Sequence, residues 1–124
     1  MNWQRIEQIL RDCTKEPAIP GTLPPAIPPD YAEFLRRFNG IEGFVGPEQY
    51  LMLWRAEQVE ELNTAYATAE HLPGVLLIGT DGSDTGFGVD AGGRYKSVPL
   101  VAMSLAEIRD IGGSFEEFLE RIAS

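Results

Sequence analysis

A chain of 124 residues has room for one domain that buries about two thirds of its unfolded surface, so an ordinary hydrophobic core suffices without disulfide or metal staples. Apolar and charged residues make up 44% and 23% of the chain, which excludes a disordered chain, and no apolar run approaches the roughly 18 residues a membrane-spanning helix needs. Ten basic against nineteen acidic side chains leave a net charge of −9, which excludes nucleic acid and anionic membrane as direct partners.

The opening segment MNWQRIEQILRDCTK carries Arg5, Glu7, Arg11 and Asp12 where a secretory signal needs uninterrupted apolar sequence, so the cytoplasm is the expected compartment. Trp3, Ile6, Leu10 and Cys13, with Ile9 alongside, recur at spacings of three and four and predict an amphipathic helix ending near Lys15. The single cysteine, Cys13, falls on that stripe as a small buried hydrophobe. Six prolines between residues 16 and 30 forbid regular helix or central strand and predict an ordered connector or extended arm.

In PPDYAEFLRRFNG the prolines suit a first helical turn, and Tyr31, Phe34, Leu35 and Phe38 supply the buried stripe. Asn39-Gly40 reads as the left-handed stop of that helix. A glycine-rich loop follows, then a short buried strand, YLMLW, over residues 50–54. RAEQVEELNTAYATAEHL reads as one helix with Ala56, Val59, Leu62 or Asn63, and Tyr66 on one face, an acidic outer surface, and a Pro73-Gly74 end. Tyr50, Trp54 and Tyr66 are expected to be core aromatics, because a nucleic-acid stacking platform would be flanked by basic residues.

Beyond residue 74 the period becomes extended. Strands are expected at 74–79, 87–90 and 95–103, joined by turns too short for parallel crossovers, hence an antiparallel meander. Ser104 with Glu107 and Ser114 with Glu117 match the capping-box spacing and predict a short helix from 104 and a final one over about 115–123, with Phe115, Phe118, Leu119 and Ile122 buried. The sum is an α+β fold: a single domain over 1–124 in which helices cover one face and the ends of a small antiparallel sheet.

LIGTDGSDTGFGVD, residues 77–90, resembles several ligand loops superficially. It has no lysine for a phosphate-binding P-loop, its glycines precede a strand and not a helix, and Gly92 stands where an EF-hand would need a closing glutamate. Asp81-Gly82 is therefore read as a hairpin turn that leaves Asp84 at an exposed tip. The lone histidine, His71, sits at a helix end, where a dipole-stabilised surface role outweighs catalysis. With no second histidine or cysteine to complete a transition-metal site and no catalytic constellation, neither metal, cofactor nor enzymatic activity is expected.

The order of these units resembles the SUKH superfamily, which includes fungal cell-wall-synthesis regulators and many bacterial immunity proteins against polymorphic toxins. The resemblance rests on LPPAIPPDYAEFLRRFNG, on LMLW followed by the EEL of a helix, on LIGTDGSDTGFGVD, and on Ser114, Phe115, Phe118 and Leu119 near the end, and it spans about Leu23 to Ile122. It implies an α+β fold without enzymatic activity, in which Tyr31, Phe34, Leu35, Asn39, Gly40, Trp54, Gly79, Asp81 and Gly82 maintain the scaffold. It fixes no binding surface, so that surface has to be chosen from charge. Residues 39–90 hold one basic residue, Arg55, against nine acidic ones, a net of −8, while the flanking segments are close to neutral.

A nuclease is basic where it holds phosphates, and an acidic surface can occupy that region as a decoy. The expected function is thus a cytoplasmic immunity protein that binds a basic toxin domain, with Glu57, Glu60, Glu61, Asp81 and Asp84 as contributors. A regulatory or scaffold protein for a cellular partner is the alternative. A carboxylate hydrolase is a third reading, disfavoured by the poverty of histidine.

Overall fold

The computed structural model describes residues 1–17 and 23–124. In chain order it contains α1 (Trp3–Ile9), β1 (Thr14–Pro17), α2 (Pro29–Arg37), β2 (Phe38–Phe44), β3 (Tyr50–Leu53), α3 (Ala56–Ala65), α4 (Thr68–His71), β4 (Val75–Thr80), β5 (Thr85–Asp90), β6 (Tyr95–Pro99), a single 3₁₀ turn (Leu105–Glu107), β7 (Arg109–Gly112) and α5 (Phe115–Ala123). The strands form one open sheet in the order β1 to β7, every neighbouring pair antiparallel. The α+β meander expected from the sequence is present, with more strands than the apolar pattern alone announces.

One face of the sheet carries Ile41, Leu51, Leu53, Phe87, Val89 and Tyr95, and α1, α2 and α5 lie on it. Tyr31, Phe34, Phe115 and Phe118 are wholly buried there, and the Phe34 and Phe115 ring centroids are 4.5 Å apart. Each such side chain taken out of water stabilises the fold by roughly 1.5–3 kcal/mol, so this aromatic layer is the main energetic reason the three helices dock. Helix α5 begins as its sequence predicts, the Ser114 hydroxyl accepting from the Glu117 N–H at 3.1 Å.

The opposite face is only partly covered. Helices α3 and α4 pack over β4 to β6, where Leu77 and Val98 meet Val59, Leu72, Trp54 and Met103 in a second buried cluster. Asn63 fixes α3 to the strand: its amide nitrogen donates to the Leu77 carbonyl at 2.8 Å and its amide oxygen accepts from the Leu77 N–H at 2.8 Å. The same face of β1 to β3 is left without a helix, and Thr14, Glu16, Glu42 and Phe44 are exposed there.

Several elements depart from the expected boundaries. Helix α1 stops at Ile9 and not near Lys15; Leu10 and Cys13 stay buried through a turn, and Thr14–Pro17 gains sheet hydrogen bonds with β2 instead of helical ones. The proline-rich connector lies partly in residues 18–22, outside the described residues, and its first two positions belong to β1. Asn39-Gly40 does not stop α2. The helix ends at an extended Phe38, and the supposed glycine-rich loop is β2 as far as Phe44, with Gly40 at φ +102° where an added Cβ would stand 3.0 Å from the Leu53 carbonyl.

The single helix expected over 55–72 is broken at Ala67, which adopts a left-handed φ of 54°, so α3 and α4 are separate. The strand expected over 95–103 ends at Pro99. Ser104 opens only the 3₁₀ turn and its side chain caps nothing, unlike Ser114.

Candidate functional site

The uncovered face of β1 to β3 and the flank of α3 enclose a groove of about 530 Å³. Strand alternation places Thr14, Glu16, Glu42, Tyr50 and Met52 on its floor, opposite the faces that carry Ile41, Leu51 and Leu53 into the core. Arg55, Gln58 and Leu62, spaced by three and four, form the wall along α3. At one end Phe44 and Tyr50 are cross-strand partners whose rings meet edge to face at 5.1 Å, and Phe44 is 54% exposed. The Tyr50 hydroxyl donates to Glu42 Oε2, and that bond to a carboxylate holds the phenol above its ordinary pKa, keeping it a donor.

Tyr50 is therefore not the core aromatic expected, whereas Trp54 is buried and stacks on Tyr66 at 6.1 Å. Residues 77–90 form a hairpin as read from the sequence. Asp81 Oδ1 accepts from the N–H groups of Ser83 and Thr85, at 2.9 and 3.1 Å, and Gly82 turns the chain at φ +81°. That carboxylate is engaged in holding the turn, while Asp84 is exposed at the tip. The turn sits beside the aromatic end of the groove, since a Cβ on Gly82 would lie 3.0 Å from the Tyr50 ring.

The five candidate acids are not one contiguous patch. Glu57 and Glu61, one turn apart, form the outer ridge of α3; Glu60 is turned by the helical period toward the flank away from the groove; Asp81 and Asp84 belong to the β4–β5 turn. The ridge and the turn bracket the open sheet face. Glu57 also has a local role: the buried Asn39 donates to its carboxylate at 2.9 Å, and this bond holds Glu57 below the usual glutamate pKa. The other oxygen-bearing end of Asn39 accepts from the Ala56 N–H at 2.8 Å, so one side chain serves the start of α3 twice.

Both signs of charge occur on the far side of the molecule, where α1, α2 and α5 carry Glu7, Asp30, Glu33, Glu116, Glu117 and Glu120. Arg5, Arg11, Arg36, Arg37 and Arg121 lie on or beside the helices of the opposite face, and Arg5, Arg37 and Arg121 pair with Glu120, Glu7 and Glu117. Arg55 is the one cation among the groove-lining residues, and Glu57 pairs with it at 3.5 Å. Among the described residues Glu16, Glu42, Glu60, Glu61, Asp81 and Asp84 form no ion pair. Such exposed pairs add little stability, but they decide where the charge stays uncancelled.

Sequence reasoning missed Glu16, Glu42 and Tyr50 on the groove floor and Phe44 at its end. The signal lay in FNGIEGF, where Asn39, Ile41 and Gly43 alternate with Gly40, Glu42 and Phe44, but two glycines disguised the strand.

Residues 21–121 match the SMI1/KNR4 family (SUKH-1). The chain belongs to that family. It is thereby a member of the SUKH superfamily, a group with known non-enzymatic, protein-binding roles. No curated protein matches the chain closely enough to add to this. Among the described residues of this SUKH-1 chain, no group of three or more histidine, cysteine, aspartate or glutamate side chains could hold a metal ion. His71 is exposed in the last turn of α4, and no described helix is long and apolar enough to cross a membrane.

Proposed function

We propose that this chain works as a single domain in the cytoplasm, without catalysis, as an immunity protein that binds a basic toxin domain of the nuclease kind. The observation that carries the reading is the charge arrangement: Glu16 and Glu42 on the groove floor, Glu61 on the ridge and Asp81 and Asp84 at the turn form no ion pair among the described residues, and they border an uncovered sheet face whose lining holds one cation, Arg55. A phosphate-holding surface on a nuclease is its natural complement. Glu57, Glu60, Glu61, Asp81 and Asp84 supply the attractive field, which at low salt raises the association rate by about ten to a thousandfold. Membership in a protein-binding superfamily supports the same reading.

Co-expression with the toxin domain encoded beside this gene tests it. The chain should restore growth, and reversing Glu57, Glu60 and Glu61 to lysine should weaken the rescue. A regulator or scaffold of a cellular enzyme is the reading to adopt if the neighbouring genes encode no toxin or if rescue fails.

A further inference from the structure

We propose that the open face of β1 to β3 is an arginine-recognition surface, in which Glu42 pairs with a guanidinium of the partner while Phe44 and Tyr50 flank it. The inference rests on the proposed capture of a basic protein and names the contact that would do it. A helix covers the same face of β4 to β6, yet this part carries an exposed phenylalanine set against a tyrosine at 5.1 Å. Solvent-facing aromatics beside a groove are the usual anchors of a protein interface, whereas a solvated sheet face has no need of them.

The charge beside these rings selects the occupant. Glu42 and Glu16 share the groove floor and form no ion pair among the described residues. The Tyr50 hydroxyl occupies one oxygen of Glu42, Oε2, and no described side chain or backbone N–H donates to the other. A planar guanidinium can donate to that carboxylate and lie over an aromatic face at once; a lysine ammonium makes the ion pair without the fork or the stack.

The experiment is an NMR titration of the ¹⁵N-labelled full chain, at about 0.15 M salt where long-range attraction between exposed charges is screened, with an Arg-Gly repeat peptide and with its Lys-Gly counterpart. Shift changes should centre on Glu16, Glu42–Phe44 and Tyr50–Met52, with the arginine peptide binding at least about threefold tighter. Glu42→Gln should weaken it about tenfold and Phe44→Ala roughly threefold to tenfold. Both positions are exposed, so unchanged dispersion elsewhere in the spectrum certifies the fold. Equal binding of the two peptides, wild-type affinity in both variants, or changes centred on the Glu57–Glu61 ridge or the Arg5–Asp12 side would overturn the proposal. Failure of toxin rescue with the peptide result intact would remove the immunity reading and leave the surface; rescue that survives both substitutions would do the reverse.

Discussion

The Tyr95 hydroxyl donates to Asp30 Oδ1 at 2.9 Å, tying β6 to the first turn of α2. Asp30 Oδ1 also accepts from the Tyr31 N–H at 2.8 Å, and Oδ2 accepts from the N–H of Phe115, the first residue of α5, at 2.7 Å. One carboxylate thus satisfies orphan N–H groups at two helix starts 85 residues apart in sequence. Burial, and then the neighbouring Asp30 charge, push the Tyr95 phenol far above its ordinary pKa, so it remains a donor at any pH the protein meets. Asp30→Ala should cost about 2–4 kcal/mol, because it removes two capping bonds and strands a buried hydroxyl. Tyr95→Phe removes only one bond and should cost about 1 kcal/mol. Urea midpoints of the two variants check the ratio; equal losses would mean that the helix starts do not depend on Asp30.

Asn39 and Glu57 give a pH-dependent counterpart. The Asn39 amide favours the ionised Glu57, whose folded pKa is lowered, so the stabilisation is fully present above the unfolded glutamate pKa and is lost as pH falls through the folded value. Asn39→Ala should therefore destabilise by about 1–3 kcal/mol near neutrality, through this bond and the one from Ala56 N–H. The penalty should shrink as the solution is acidified through the carboxylate range, because the wild type loses its Glu57 contribution there while the Ala56 bond persists in it. Melting curves of both proteins across that range decide the matter, and a penalty that grew on acidification would contradict the assignment.

The elements legible in the sequence were those that carry their own apolar stripe. In α5 and α2 the spacing of Phe115, Phe118 and Leu119, and of Tyr31, Phe34 and Leu35, is enough to identify the buried side. The hairpin at Asp81-Gly82 was equally plain, since its chemistry is local. Strands β1, β2 and β7 were not legible. TKEP and RDIG are four-residue edge strands with little apolar pattern, held by pairing with a neighbour, and β2 places a glycine under the Leu53 carbonyl for reasons found only on β3. The candidate site suffered accordingly. Charge bookkeeping located the acids of α3 and of the turn, but the Glu42, Phe44 and Tyr50 cluster exists only once β2 is a strand in register with β3.

The pairing of β3 with β4 makes Gly79 a sensitive position. A Cβ there would stand 2.1 Å from the Met52 carbonyl oxygen and 3.1 Å from Leu53 Cα, both backbone atoms that cannot rotate away. Gly79→Ala should open the β3–β4 seam at a cost of about 3 kcal/mol or more, and lower the melting temperature accordingly. At Gly92 the nearest atom to an added Cβ is Asp90 Oδ1 at 3.4 Å, so Gly92→Ala should change stability by less than about 1 kcal/mol. Comparable losses in the two variants would show that the close approach at Gly79 is not what constrains it.

Steering and holding are separable in the proposed complex. Glu60, Glu61 and Asp84 are exposed and form no ion pair among the described residues, so they act on a basic partner through the field around the molecule. Reversing all three to lysine should slow association about tenfold or more at low salt and leave dissociation nearly unchanged. The difference should close as salt approaches about 1 M, where the screening length falls to about 3 Å. Phe44→Ala and Glu42→Gln should behave oppositely, speeding dissociation while association and its salt slope stay close to wild type, because contacts made only after docking set the lifetime. Stopped-flow mixing and surface-capture decay with the toxin domain measure the two rates independently. If the triple reversal acts on dissociation, the ridge and the turn touch the partner and the sheet face does not hold it.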